Sequence, residues 1–345
     1  MEDFPVPDFD FDDFDDTLVE KNTYTATSSL HFKFGINESD MAYFNKLSGL
    51  TIDFKDPIRV TANSIVFRAQ SKLTGQDYAV KISNHKKRIL KEYINRSLIK
   101  DSAFIIEYIS FYEDPTQMFH RSKSIGFDER HINNSIELPK SLIVSQPKTL
   151  EDLNLPPNSL SNHNYSLLLM ELAPNGDIKD KQYSEDYLWK LIHDVAAALH
   201  ELHSNNFMHL DVSPSNILVM DDKFKLSDFG TMERVGNFRE GCEGAGPYVS
   251  PEALNYPFGP YPVTQKTDIF SFAVVLLEAA TGKQAPRGGS DGYSLLRKEK
   301  IILGDQNYPC SCQEKFIEVV NLMLSNDPSK RPSAEQLIQL ANSMI

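Results

Sequence analysis

Cysteine is scarce. Three thiols (Cys242, Cys310 and Cys312) in 345 residues cannot frame a disulfide-stapled fold, which points to a core held by apolar burial and to a reducing compartment. Two of them stand as Cys310-Ser311-Cys312, a weak metal or redox signal, but no second Cys pair or His cluster accompanies them, so the pair reads as structural or incidental. Lys and Arg are absent from residues 1–20, which carry nine acids instead. The chain therefore does not open with the basic and then apolar segment of a secretory signal. Long apolar runs are also missing. The longest, Phe270 to Ala280, is interrupted by Glu278 and is too short for a membrane span. These absences predict a soluble chain of the cytoplasm or nucleus. The net charge is −13, and nine of the excess acids fall in residues 1–20, so the remainder is only mildly acidic. A basic footprint for nucleic acid is lacking.

What is present is ordinary globular composition, 41% hydrophobic and 24% charged, enough for one large or two small domains plus tails. Residues 1–50 read as a disordered tail. Phe4, Phe9, Phe11 and Phe14 alternate with Asp, a pattern that resists collapse and suits binding a partner through its aromatics.

From Thr51 the pattern changes to short β-type runs. Ile65 to Ala69 and Tyr78 to Ile82 alternate so that Val80 and Ile82 share one face and Ala79 and Lys81 the other. His85 to Lys100 reads as a helix, with Ile89, Leu90, Ile94, Leu98 and Ile99 at helical spacing. Glu92 on it is the only Glu between Lys81 and Glu107, and so the convenient ionic partner for Lys81. Phe104 to Tyr112 reads as a strand, about 115–164 as a disordered polar insertion, and Ser166 to Ala173 as a strand again. Ser184 to Ser204 is the clearest helix, with Leu188, Leu191, Ile192, Val195, Leu199 and Leu202 on one face. His193, His200 and His203 on it read as packed or surface residues.

The densest chemistry lies in Ser204 to Gly230. Asp211 is followed five residues later by Asn216, and Asp228 stands in Asp-Phe-Gly after a short alternating run. Hard oxygen donors of this kind suit Mg²⁺ beside a polyphosphate. An Asp off the metal can orient a hydroxyl nucleophile.

These motifs resemble the catalytic loop and the metal-binding Asp-Phe-Gly of protein kinases. The resemblance extends over about Thr51 to Ile345, through Gly244 to Glu252, Asp268 to Ser271 and Asp327 to Pro332. It implies an α+β, two-lobed fold: a small β-rich N-lobe (51–171) and a larger helical C-lobe (174–345). It implies transfer of the ATP γ-phosphate to a protein hydroxyl with Mg²⁺, Ser/Thr or dual specificity being favoured. Asp211 would orient the acceptor, Lys81 paired to Glu92 would hold phosphates, and Asn216 and Asp228 would hold the metal. Val66, Ala79, Met170 and Leu218 would line the adenine, with the Glu171 carbonyl and the Ala173 amide at its edge. Glu252 would pair with Arg331.

The chain also departs from that pattern. The three glycines of the phosphate loop fall at Arg59, Thr61 and Ser64. Leu210 replaces an Arg that in the family meets a phosphorylated activation loop, so activity should not depend on such phosphorylation. Ser213 replaces a Lys that neutralises the γ-phosphate, which predicts slow turnover. A catalytically impaired pseudokinase scaffold is the alternative reading. Within the family the nearest look is the Wee/Myt type, through His209-Leu210-Asp211, Glu240 to Gly244, and Pro286 to Arg297. That likeness implies a signalling or cell-cycle role.

Overall fold

The computed structural model describes residues 36, 38–113, 165–242, 244, 246–285 and 302–345. The expectations for 1–35, for 115–164 and for the Pro286 to Arg297 run lie outside these residues. The chain divides into two compact units, one ending at Asp101 and resuming over Ile106–Pro174, the other comprising Ser102–Ile105 and Asn175–Ile345.

The first unit begins with helix α1 (Glu38–Ser48), followed by strands β1 (Leu50–Val60), β2 (Ser64–Ser71) and β3 (Asp77–Ser83), helix α2 (Lys86–Ser97), and strands β4 (Tyr108–Glu113) and β5 (Ser166–Glu171). The strands form one antiparallel sheet in the order β1-β2-β3-β5-β4. Because side chains alternate, each face has its own core. Ile65, Phe67, Val80, Ile82, Leu167 and Leu169 fill one face, and Tyr43 and Phe44 of α1 bury against it. Helix α1 corrects the expectation of a tail reaching residue 50. Its apolar residues are too few to hold a helix alone, and the sheet supplies the missing burial. On the opposite face Leu168 and Phe111 pack with Ile89 of α2.

The second unit contains α3 (Glu185–Ser204), the short strands β6 (Phe207–Met208), β7 (Ile217–Val219), β8 (Phe224–Leu226) and β9 (Glu233–Arg234), then α4 (Pro251–Leu254), α5 (Lys266–Thr281), α6 (Glu314–Met323) and α7 (Ala334–Asn342). Helix α5 is buried on nearly every residue, which explains its continuous apolar run. Hairpin β7–β8 and pair β6–β9 frame the loops that carry the acids. The strand expected from Phe104 starts later, at Tyr108. Phe104 and Ile105 belong to this second unit instead: Leu226 N–H donates to Phe104 O at 2.9 Å, and Ile105 bridges Leu226. No helix among the described residues is long and apolar enough to cross a membrane.

Candidate active site

In the first unit the sheet register gathers one set of candidates. Val66 lies opposite Lys81, and Ala79 lies opposite Met170. Directly opposed residues share a face. Val66, Ala79, Lys81 and Met170 therefore stand on the α2 side of the sheet. Lys81 Nζ donates to Glu92 Oε2 at 2.7 Å, with only 15% of the Lys and 3% of the Glu side chain exposed. Two residues, Asn84 and His85, separate β3 from α2, so the connection is as short as the spacing implied. Tyr108 OH donates to the other oxygen, Glu92 Oε1, at 2.6 Å. The sequence reading missed Tyr108, because its hydroxyl reaches the site only through the β4–β5 pairing. Glu171 N–H donates to Glu107 O at 3.0 Å, which fixes the end of β5. Ala173 follows it, half-buried.

The hairpin that lacks glycine is pinned by side chains. Thr61 N–H donates to Ser64 O at 2.9 Å, Ser64 N–H donates to Thr61 Oγ1 at 3.0 Å, and Ser83 Oγ donates to Asn63 O at 2.6 Å. Arg59 pairs with Val66, and none of residues 59–64 has a positive φ. The turn is thus closed without the left-handed geometry that would demand glycine.

In the second unit the acids are held by a buried lattice of hydrogen bonds. Asn216 Nδ2 donates to Asp211 O at 3.0 Å and to Asp211 Oδ2 at 2.7 Å. Asp211 N–H donates to His209 Nδ1 at 3.2 Å, so that nitrogen is the acceptor. The ring proton then sits on Nε2 and points to Ser227 O, 3.1 Å away. Ser227 N–H and Oγ both donate to Asn216 O, at 2.8 and 3.0 Å. Asp228 is therefore one peptide away from a residue tied to both His209 and Asn216. Phe229 is fully buried against the His209 ring, with centroids 5.3 Å apart. Leu218 on β7 is half-buried, and its strand is bridged to Asp177.

Two backbone positions here are left-handed without being glycine: Leu210 (φ 68°) and Asp228 (φ 65°). Such residues persist where neighbours over-determine them. Asp268 of α5 supplies the restraint at Leu210. Its carboxylate accepts from His209 N–H and from Leu210 N–H, each at 2.9 Å, and lies 2.8 Å from His203 Nε2. Burial alone would raise the Asp268 pKa, but the His203 contact and the His209 amide bring it below the usual aspartate value. His203 is thus a packed residue with a task.

The described residues between Asp228 and Glu252, the activation segment of the resemblance above, are seated by apolar contact. Leu210 is 5% exposed and packs with Met208, Phe238, Val249, Ala253 and Val263, with Val235 and Cys242 at the margin. Gly244 N–H donates to Leu210 O at 3.1 Å. A Cβ on Gly244 would stand 2.4 Å from that oxygen and 2.6 Å from Asp211 Oδ1, so only glycine fits there. Ser213 is buried and lies 3.3 Å from Ser215 Oγ, so this position offers no cation.

Beyond the loops, Tyr248 OH donates to Glu278 Oε2 at 2.8 Å, and Ser271 Oγ donates to Tyr248 O at 2.7 Å. Glu252 and Arg331, both fully buried, meet through two bonds of 2.6 and 2.8 Å. Thr267 Oγ1 adds a third donor to Glu252 at 3.0 Å. Asp194 was also missed by the sequence reading. It accepts Phe224 N–H at 3.0 Å and ties α3 to β8.

A charged pair on a β-strand and the next helix, an Asp–Asn loop ahead of Asp-Phe-Gly, and a buried Glu–Arg tie define the class. The family described as protein kinase domain matches residues 61–341, and the chain belongs to it. Similar curated relatives include a membrane-associated tyrosine- and threonine-specific cdc2-inhibitory kinase of Caenorhabditis elegans. It is 32% identical over 158 residues, covering 45% of this chain and 22% of the relative. A Wee1-like protein kinase of Oryza sativa subsp. japonica is 32% identical over 150 residues, covering 44% and 27%. A calcium/calmodulin-dependent serine/threonine-protein kinase of Malus domestica is 28% identical over 227 residues, covering 59% and 52%. In each case the match spans well under two thirds of the relative's length.

Proposed function

We propose that this chain is an ATP- and Mg²⁺-dependent protein kinase acting on a protein hydroxyl, with Ser/Thr or dual specificity. The observation that carries the reading is the Asp211–Asn216 pair. The Asn216 amide nitrogen spends both its bonds on Asp211, which aims the Asp211 carboxylate and turns Asn216 Oδ1 the other way. Asp211 then accepts the acceptor hydroxyl's proton or orients it. Asn216 Oδ1 and the Asp228 carboxylate are hard oxygen donors, as Mg²⁺ requires. When bound, Mg²⁺ would neutralise phosphate charge. Lys81, held by Glu92 and Tyr108, would bind phosphate oxygens. Val66, Ala79, Met170 and Leu218, with the backbone at Glu171 and Ala173, would take the adenine.

Ser213 leaves the transferring phosphate without a cation from the catalytic loop, so turnover should be slow. The Wee-type relatives support a substrate among cell-cycle kinases. The acidic, aromatic residues ahead of α1 would bind a protein partner, and the scarcity of cysteine supports a cytoplasmic or nuclear setting. The test is transfer from γ-labelled ATP·Mg²⁺ to a protein acceptor, with the labelled residue identified by acid hydrolysis. Label on Ser or Thr, with or without Tyr, supports the reading, and label on Tyr alone overturns its specificity. Undetectable transfer together with a retained ATP·Mg²⁺ thermal shift would establish a scaffold instead.

A further inference from the structure

The Cys310-Ser311-Cys312 pair takes no part in the site described above, yet its sulfurs are placed for chemistry. Both residues are partly exposed. Cys312 N–H donates to Cys310 Sγ at 3.4 Å. An amide donor is thus aimed at the Cys310 sulfur. The segment is fixed rather than free. Gln313 N–H donates to Glu185 Oε2 at 2.9 Å, and Trp189 of α3 meets Phe316 of α6 edge to face at 5.5 Å. Residues two apart span at most about 7 Å, which overlaps the Cα separations a disulfide tolerates. Burial, then the Cys310 contact and charge and Glu185, push the Cys312 thiol up to about 12. Cys312 therefore keeps its proton, and its backbone amide faces the Cys310 sulfur, which makes Cys310 the attacking residue.

We propose that Cys310 and Cys312 form a dithiol site that reacts with low-molecular-weight disulfides such as oxidised glutathione and closes to an intrachain disulfide. Cys310 gives its proton to water and, as the thiolate so formed, attacks one sulfur of the oxidised glutathione. The S–S bond breaks, and one glutathione leaves as thiolate and takes up a proton. Cys310 now carries a mixed disulfide. Cys312 releases that proton to water and attacks the Cys310 sulfur, expelling the second glutathione. Overall the protein loses two electrons and two protons, and one oxidised glutathione becomes two reduced molecules. A loop this short and this exposed belongs to the labile class of disulfides, which thiol reductants reopen.

The test equilibrates the whole chain with glutathione buffers of increasing oxidation, then quenches, alkylates and weighs the 310–312 peptide. The wild type should lose two hydrogens and escape alkylation, and dithiothreitol should reverse this. Cys312→Ala should stop at a glutathione adduct on Cys310. Cys310→Ala should form an adduct on Cys312 roughly tenfold more slowly. Cys310→Ser repeats this with a closer isostere. The proposal fails if both thiols still alkylate in the most oxidising buffer, if Cys242 oxidises first, or if Cys312 reacts as fast without Cys310 as Cys310 does without Cys312.

Discussion

Truncating Leu210 to alanine isolates what the apolar seat of the activation segment contributes. Leu210 is 5% exposed and touches a cluster drawn from β6, the activation segment, α4 and the approach to α5. Removing a buried Leu side chain costs ~2–5 kcal/mol. The cluster borders half-buried Val235 and Cys242, which can relax inward, so the lower half of that range applies. The backbone adds a second signature. At φ 68° alanine bears the same left-handed strain as leucine, about 1–2 kcal/mol, and glycine does not. Leu210→Gly should therefore be at least as stable as Leu210→Ala, the reverse of the usual order. The single tryptophan, Trp189, lies on α3 of the same unit and reports urea unfolding directly. A loss below about 1 kcal/mol for Leu210→Ala, or a glycine variant weaker than the alanine variant, would refute the reasoning. In the same protein, phosphatase treatment should leave transfer activity unchanged, because the segment is held by methyl groups and not by a phosphate.

Three further outcomes follow from the same geometry. Arg331→Ala should destabilise the second unit by ~3–5 kcal/mol, because it leaves the Glu252 carboxylate buried with Thr267 as its other side-chain donor; Glu252→Gln should cost less. Tyr108→Phe should lower kcat/KM several-fold while leaving urea stability within about 1.5 kcal/mol of wild type, since it removes the hydroxyl that holds Glu92 Oε1 while Oε2 meets Lys81. Asp268 titrates below the usual 3.8, so the stability it supplies is complete above that pH and is lost as pH falls through its lowered value. Trp189 fluorescence should show the acid limb of the wild type steeper than that of Asp268→Asn.

Some contacts could be read from residues alone. The Lys81–Glu92 pair was legible because strand alternation and a lone Glu on the next helix leave little choice, and the grouping of Asp211 with Asn216 because both stand in one short loop. What escaped depends on tertiary partners. Helix α1 has too few apolar residues to announce itself and is held by the sheet face under Tyr43 and Phe44. Phe104 and Ile105 look like strand, yet pair with Leu226 more than a hundred residues away. Tyr108 and Asp194 act through a hydroxyl and a carboxylate that only the register and the helix placement deliver. The glycine-free hairpin looked like a defect because the side-chain bonds of Thr61, Ser64 and Ser83 are invisible to a motif.

The most direct measurement compares wild type with Asp211→Asn in single-turnover transfer from ATP·Mg²⁺, alongside the thermal shift each shows with the nucleotide. The account predicts a fall in transfer of about 10²–10⁴-fold with the thermal shift preserved. Equal transfer by the two proteins would contradict it.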